Sequence, residues 1–282
     1  MRVTDRALYD QTCLECSRLI TEQYSTSFGG GIRVFSKQVR QPIYAIYGFV
    51  RFADEIVDTF HEHDKAKLMD DFKRQTFDAI ETGLSLNPVL HAFQLTVNQY
   101  GITDDLILAF LASMETDLDK KTFTEEEYKT YIYGSAEVVG LMCLRVFVNG
   151  NDDPYQSLAP TARALGSAFQ KLNFLRDIKA DLEERGRVYF PGLDIRHFDD
   201  ANKKMIEADI QQDFETAYTG IRQLPPPSRS GVTLAYNYYL QLFIKIKATP
   251  AAVLLQQRVR VADSVKRGIF VKAMLKQTFG AN

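Results

Sequence analysis

The chain has 282 residues, of which 45% are hydrophobic and 25% are charged. These fractions exclude an intrinsically disordered chain, and the length is ample for a sizeable buried core. The 34 Lys and Arg residues nearly balance the 36 Asp and Glu residues, which gives a formal net charge of -2. A nearly neutral protein is a poor match to nucleic acid bound over its whole surface, so we expect no nucleic-acid partner.

Cysteine content and the N-terminal sequence bear on the cellular compartment. Cys13, Cys16 and Cys143 are too few for a disulfide framework, which favours a reducing cytosol. The first ten residues are charged at four positions and lack an apolar signal core. No window reaches the roughly 20 apolar residues of a membrane-spanning helix. We expect a cytoplasmic protein and leave peripheral membrane contact open.

Helical periodicity dominates the chain. Apolar residues recur at spacings of three and four, as in Ile46, Phe49, Val50 and Ala53. Thr103 and Thr124 are each followed by acidic residues and are typical helix starts. Glycine and proline divide the chain into helix-length segments, in chain order at 29–31, 42, 88, 101, 150–154, 191–192, 225–227 and 250. The pattern predicts one all-α domain over residues 1–282.

Two of the predicted helices carry a polar stripe between apolar flanks. The first stripe consists of Tyr47, Arg51, Asp54 and Asp58, whose offsets of 0, 4, 7 and 11 keep them within about 60° of one helix face. The second stripe consists of Gln170, Asn173, Asp177 and Asp181, at offsets of 0, 3, 7 and 11. A polar stripe in a helix that is otherwise buried costs desolvation unless another group fills it.

Acid pairs four residues apart are not informative by themselves. Random placement of 36 acids predicts about 4.5 such pairs, because residues four apart share a helix face. The sequence has five: Asp54/Asp58, Asp58/Glu62, Glu115/Asp119, Asp177/Asp181 and Asp209/Asp213. The last pair lies in a mostly polar segment and is interpreted as a solvated face. The surrounding stripe, not the spacing, therefore distinguishes the pairs at 54/58 and 177/181.

Carboxylates that share a helix face repel one another, and a divalent cation removes that repulsion. Oxygen ligands suit Mg²⁺, with Mn²⁺ as a second candidate, and Mg²⁺ commonly bridges to substrate phosphates. Arg51 and Arg176 stand beside the acid pairs and can reach the same phosphate oxygens. The alternative interpretation is that each stripe is an internal network of Arg–Asp salt bridges.

Four segments resemble motifs of the phytoene/squalene synthase family, which are head-to-head prenyltransferases. Segments 49–58 (FVRFADEIVD) and 173–181 (NFLRDIKAD) resemble its two Asp-rich motifs. Segment 185–191 (RGRVYFP) resembles the sequence after the second motif, and segment 131–140 (YIYGSAEVVG) resembles the central Tyr-Gly helix. The resemblance extends from about residue 24 to residue 260, in the family's order, and is greatest to bacterial phytoene synthases.

The resemblance implies an all-α, single-domain bundle of the isoprenoid-synthase type around a deep central cavity, with the acidic helices facing each other at its mouth. It implies Mg²⁺ ligands at Asp54, Asp58, Asn173, Asp177 and Asp181. It implies substrate contacts from Ser25, Ser27, Phe28, Tyr47, Arg51, Gln170, Asn173, Arg176, Arg187, Tyr189, Tyr239 and Arg258. Tyr131 and Tyr47 are candidates to guide the released diphosphate or proton. Tyr24 and Thr26 stand where the family often has His and Lys.

The activity that this resemblance implies is the Mg²⁺-dependent condensation of two geranylgeranyl diphosphates. The product is phytoene, formed through a cyclopropyl (prephytoene) diphosphate in carotenoid biosynthesis, and no NADPH is expected for that product. The alternative substrate is farnesyl diphosphate, which gives dehydrosqualene, or squalene with NADPH. Three different functions stay open at this point: a terpene cyclase or head-to-tail synthase, a non-catalytic assembly or scaffold protein of the same family, and a helical interaction module.

Overall fold

A computed structural model describes residues 4–25 and 31–279, with side chains outside positions 195 and 272–279. The regular secondary structure of this part of the chain is helical, and its β-structure is limited to an isolated bridge between Thr122 and Val188. The α-helices are α1 Asp5–Tyr24, α2 Lys37–Asp58, α3 Lys65–Thr82, α4 Pro88–Tyr100, α5 Asp104–Asp119, α6 Glu125–Ile132, α7 Val138–Phe147, α8 Asp152–Arg185, α9 Asp200–Ile221, α10 Pro226–Lys247, α11 Ala251–Leu254 and α12 Asp263–Phe279. A π-helical turn, Tyr133–Glu137, joins α6 to α7, and a 3₁₀ turn, Ile195–His197, precedes α9. The prediction of an all-α chain is confirmed.

Local sequence signals account for most of the helix boundaries. Thr124 forms a capping box with Glu127 at the start of α6, because each side chain bonds the other residue's backbone N–H. Pro88 is the first residue of α4, where its missing N–H costs nothing. Gly101 ends the same helix in the left-handed conformation, at a φ of 65°.

One predicted helix boundary is wrong. The sequence places a break at Pro42, but Pro42 lies inside α2 and is buried. A proline near the start of a helix removes a single backbone hydrogen bond, and the packing of its ring in the core offsets that loss. The longest helix, α8, likewise contains Pro160 and continues to Arg185.

The order in which the helices pack gives the bundle two distinct ends. Thr161 near the start of α8 lies against Gly220 at the end of α9, so these two helices are antiparallel. The Ser36 N–H donates to the Pro227 carbonyl at 3.2 Å, which sets the start of α2 beside the start of α10. As a result, the acidic C-terminal ends of α2 and α8 lie at one end of the bundle, and the start of α10 lies at the other.

The helices of the described segments are too short or too polar to cross a lipid bilayer. Their apolar faces instead meet in one large core of buried aromatic and aliphatic side chains. Phe49 of α2 is at its centre and stacks on Phe93 with ring centroids 3.9 Å apart. This core fixes the axial position of α2, and therefore the height at which its polar stripe meets α8.

Candidate active site

An elongated cavity of about 1050 Å³ runs through the bundle. This volume is at the upper end of the range for small-molecule sites in proteins. Most of its wall is apolar, with contributions from α2, α7, α8, α9, α10 and α12. One end is polar and is lined by the side chains of Tyr24, Ser25, Tyr47, Gln170, Asn173, Arg176, Tyr239 and Arg258. The cavity therefore combines a polar mouth with a long apolar interior.

Helix α8 gives a scale for the depth of this cavity. Asn173 lines the polar end and Leu158 lines the apolar end. The fifteen residue steps from Leu158 to Asn173 correspond to about 22 Å along the helix axis, at 1.5 Å per residue. The helices that form the wall approach closely where glycines lie between them: a Cβ at Gly166 would lie 2.5 Å from the Ala136 carbonyl oxygen. The shape suits a chain-like apolar ligand with one polar head.

The middle of the polar end contains an amide oxygen without a partner. Asn173 Oδ1 is buried, and no hydrogen-bond partner for it lies among the described residues. Asn173 also interacts with Tyr239, whose ring stacks on Phe169 with centroids 3.8 Å apart. Tyr47 faces this group from α2 and interacts with Ser25. A buried carbonyl oxygen that faces a cavity and lacks a donor is a suitable ligand for a cation or a bound substrate.

On α2, Asp54 is half-buried and accepts no hydrogen bond from the described part of the chain. Burial raises its pKa to about 7; Arg51 opposes this shift, and the negative charges of Asp58 and Asp117 add to it. Arg51 itself forms an ion pair with Glu55, and its guanidinium lies 4.4 Å from the centroid of the Tyr24 ring. Asp54 is thus a desolvated carboxylate beside other carboxylates. A cation bound there would relieve both the desolvation of the charge and the repulsion between the carboxylates.

On α8, the second stripe is paired with arginines. Asp177 accepts hydrogen bonds from Arg176, at 2.9 and 2.5 Å, and its Oδ1 lies 2.6 Å from Nε of Arg258. Asp181 is buried and accepts from Arg185 at 3.0 Å. Burial raises the pKa of Asp181 to about 6, against the opposing effect of Arg185. The alternative interpretation of the stripes was an internal network of Arg–Asp salt bridges. The contacts of Asp177 fit that alternative, whereas Asp54 does not show such contacts.

The two stripes face each other across one arginine. The Arg185 guanidinium lies 3.4 Å from the Asp58 carboxylate of α2 and 3.0 Å from the Asp181 carboxylate of α8. Arg187 adds a second link at 3.5 Å from Asp58. The short segment that carries both arginines is held in place because Val188 N–H donates to the Lys121 carbonyl at 2.9 Å. The two acidic ends therefore meet across a single cationic layer.

Sequence reasoning missed a buried acid on α5. Asp117 accepts a hydrogen bond from the Tyr131 hydroxyl at 2.5 Å and from the Tyr189 hydroxyl at 3.5 Å, and it lies 3.8 Å from Arg187. Burial raises its pKa to about 6, against the opposing effect of Arg187. The sequence does indicate this burial. Asp117 follows Met114 by three residues and therefore lies on the same, apolar face of the helix.

The predicted site residues fall into three groups. Those that line the cavity are Ser25, Tyr47, Gln170, Asn173, Arg176, Tyr239 and Arg258. Those that lie beside its polar end, in the ion-pair and hydrogen-bond network of the acidic clusters, are Arg51, Asp54, Asp58, Tyr131, Asp177, Asp181, Arg187 and Tyr189. Ser27, Phe28 and Thr26 lie outside the described residues. Their roles remain predictions.

The donor set fits Mg²⁺ in its chemistry. Asn173 Oδ1 is an unpaired oxygen that lines the polar end of the cavity, and Asp54, Asp58, Asp177 and Asp181 carry carboxylates in the network beside that end. Over residues 4–25 and 31–279 no three acidic, His or Cys side chains are grouped closely enough to hold a metal ion, and Arg185 stands between the two acidic clusters. Oxygen-only ligands from two helices are typical of Mg²⁺ sites that also use substrate phosphates.

The interpretation of Asp209 and Asp213 as a solvated face is wrong for Asp213. Its side chain is only 19% exposed, and it accepts from Lys171 at 2.8 Å and from the Ser167 hydroxyl at 2.7 Å. Asp209 is 55% exposed and lies 2.6 Å from the same lysine. This pair ties α9 to α8 through Lys171 and Ser167, which are not part of the second acidic stripe, and it belongs to the framework.

Comparison with known proteins decides the family. The family model described as "Squalene/phytoene synthase" matches residues 21–264. The chain belongs to this family. It is therefore a prenyltransferase, as the sequence predicted. The "Phytoene synthase" of Arthrospira platensis is 30% identical over an alignment of 259 positions that covers 83% of this chain and 83% of that protein. The "15-cis-phytoene synthase" of Synechocystis sp. is 30% identical over 267 residues, covering 83% and 76%.

A solved structure shows the same fold. The crystal structure of a dehydrosqualene synthase in complex with ligand matches with a TM-score of 0.81 and 20% sequence identity. The match covers 97% of this chain and 99% of that one. The prediction of an isoprenoid-synthase bundle around a central cavity is confirmed.

Proposed function

We propose that this prenyltransferase condenses two geranylgeranyl diphosphates head to head and makes phytoene through a cyclopropyl diphosphate, in carotenoid biosynthesis. The observation that carries this proposal is the pairing of two opposed acidic stripes with a long apolar cavity that opens beside them. The relatives named phytoene synthase support the choice of the C20 substrate over farnesyl diphosphate.

The chain's own cations hold the diphosphate groups in this proposal. Arg176 and Arg258 line the polar end and are bound to Asp177, so a diphosphate can take over their hydrogen bonds from that carboxylate. Arg51 lies near Tyr24, and its Nε is buried without a partner among the described atoms. Each of these arginines offers planar donors that match phosphate oxygens.

Asp54, Asp58, Asn173, Asp177 and Asp181 hold Mg²⁺ in this proposal. When bound, Mg²⁺ neutralises the charge that develops on the departing diphosphate. The charge of Arg51 partly offsets the carboxylate of Asp54, which accepts no hydrogen bond from the described residues, and Asn173 Oδ1 supplies an oxygen without a donor. Arg185 now bridges the Asp58 and Asp181 carboxylates, and its side chain is 34% exposed, so it would have access to solvent if Mg²⁺ took over these carboxylates.

The apolar interior keeps water away from the allylic cation that forms when the diphosphate leaves. The Phe169 and Tyr239 rings, stacked at 3.8 Å, line the cavity next to its polar end. Aromatic faces stabilise a cation by about 0.5–2 kcal/mol each. Tyr131 keeps its proton at neutral pH, because burial and the charge of Asp117 raise its pKa well above the usual 10. It acts as a hydrogen-bond donor at this end of the site and is not a base.

The test incubates purified protein with Mg²⁺ and either geranylgeranyl or farnesyl diphosphate and identifies the extracted hydrocarbon by mass spectrometry. We expect a C40 product from the first substrate. Asp54→Asn and Asp177→Asn should each lower turnover by at least about 10²-fold, since each removes charge from the site at which the leaving group develops its own. A C30 product alone would replace the C20 assignment with the farnesyl alternative.

The matched control is Asp209→Asn. Asp209 also belongs to an acid pair four residues apart, but it binds Lys171 outside the cavity. Turnover by this variant should stay within about twofold of the wild type, as is usual for a half-exposed side chain. If Asp209→Asn were as damaging as the other two substitutions, the assignment of the catalytic acids would be wrong. If the wild type made no hydrocarbon from either substrate, the scaffold alternative would be favoured.

A further inference from the structure

An aromatic pair lines the apolar end of the cavity. Phe35, just before α2, and Phe147, at the end of α7, both line the cavity, and their ring centroids are 5.4 Å apart. Phe35 is only 6% exposed. Lys37, the first residue of α2, is ten residues before Tyr47, which is about 15 Å along the helix axis. The pair therefore lies at the opposite end of the cavity from the predicted diphosphate site.

One glycine fixes the position of this floor. Gly231 on α10 also lines the cavity, and a Cβ built on it would lie 2.3 Å from Cε1 and 2.4 Å from Cδ1 of Phe35. The Phe35 ring thus rests directly on the Gly231 backbone. Gly231 is inside a regular helix, where its own φ does not require glycine, so the glycine is explained by this close approach. The neighbouring backbone is tied as well, since Ser36 N–H donates to the Pro227 carbonyl.

We propose that Phe35, seated on Gly231, is the floor of the cavity and sets the longest prenyl chain that the enzyme accepts. This inference rests on the proposed function and specifies its substrate class. Any side chain at position 231 displaces the Phe35 ring, and the open volume beside that ring is the cavity itself. The loss of depth excludes the last isoprene unit of a long chain and leaves a shorter chain unaffected.

If a rigid cavity floor selects the chain length, a small change in its side-chain volume should change the discrimination between chain lengths strongly. A change of one methylene-sized group in an apolar pocket alters discrimination by about 10–200-fold in kcat/KM. Gly231→Ala adds one such group and should lower the ratio of kcat/KM for geranylgeranyl over farnesyl diphosphate by at least about 10-fold. Phe35→Leu removes part of the ring and should raise this ratio, or extend acceptance to the C25 diphosphate, by a similar factor.

The experiment measures kcat/KM of the wild type, Gly231→Ala and Phe35→Leu with C15, C20 and C25 diphosphates. Turnover of farnesyl diphosphate by Gly231→Ala shows that this variant is folded. Gly268→Ala is the matched control, because a Cβ there meets no atom within 4 Å, and it should leave the ratio unchanged. Opposite shifts in the two floor variants support the proposal. A ratio that changes less than about twofold in both, or a uniform loss on all three substrates, overturns it.

The preference for one chain length over another is also measured as a ratio of binding affinities. Calorimetry with thiolo analogues gives these affinities, because the analogues do not lose their diphosphate group. This second readout separates the two proposals. A wild type that makes no hydrocarbon contradicts the proposed function, while the binding ratios still test the floor. The proposal is supported if the wild type binds the C20 analogue more tightly than the C15 analogue and Gly231→Ala binds both with equal affinity. An unchanged wild-type preference in that variant contradicts it.

Discussion

Replacing Asp54 by asparagine should stabilise the metal-free protein while it abolishes turnover. Burial raises the Asp54 pKa from 3.8 to about 7. A group whose pKa is higher in the folded state binds protons more tightly there, so stability falls as pH rises between about 4 and 7. Above that window the folded protein carries the full cost of a charged, desolvated carboxylate. Asparagine has nearly the same shape and never bears this charge.

The size of the effect follows from the pKa. A shift of about three units corresponds to about 4 kcal/mol, at about 1.4 kcal/mol per unit. The side chain is half-buried, so solvent screening reduces this to about 2 kcal/mol. For 282 residues, the entropy of unfolding near Tm is about 0.6 kcal/mol per degree, so Asp54→Asn should raise Tm by about 3 °C at pH 8. At pH 5, about 40% of the gain should remain.

Differential scanning calorimetry in EDTA at pH 8 and pH 5 measures both values. Asp209→Asn serves as the control, because it removes an exposed acid that is already paired with Lys171, and it should produce no gain at either pH. Added Mg²⁺ should then raise Tm of the wild type at pH 8, because a ligand that binds only the folded state stabilises it. The variant should respond less. An equal gain at both pH values, or a Mg²⁺ response equal to that of the wild type, would refute the reasoning.

Two further substitutions probe the framework around the site. Tyr131→Phe deletes the hydroxyl that donates to Asp117 at 2.5 Å and should lower the free energy of unfolding by about 1–3 kcal/mol, measured in urea, because a buried acid loses a donor. No change would mean that Tyr189 and Arg187 satisfy this acid without Tyr131. Lys171→Met removes the cation between Asp209 and Asp213, and should cost about 2–4 kcal/mol in the same assay. A loss below about 0.5 kcal/mol for Lys171→Met would show that the pair is solvated after all.

The sequence by itself was sufficient for the fold class and for the composition of the two stripes. A helix repeats every 3.6 residues, so the offsets of Asp54, Asp58, Asp177 and Asp181 decide which side chains share a face whatever the tertiary structure is. Caps such as Thr124 also act within one turn and are visible in the sequence. Pro42 was misjudged because a local rule ignores the packing that keeps a proline inside a helix.

Only the tertiary structure decided which groups oppose one another. Asp117 meets Tyr189 across 72 residues of sequence, and Phe35 meets Gly231 across about two thirds of the 282-residue chain, so no local period relates either pair. The pairing of Arg185 with both acidic stripes depends on the axial positions of α2 and α8, which the core sets through side-chain volume. Periodicity fixes the face on which a side chain lies, and packing fixes what that face meets.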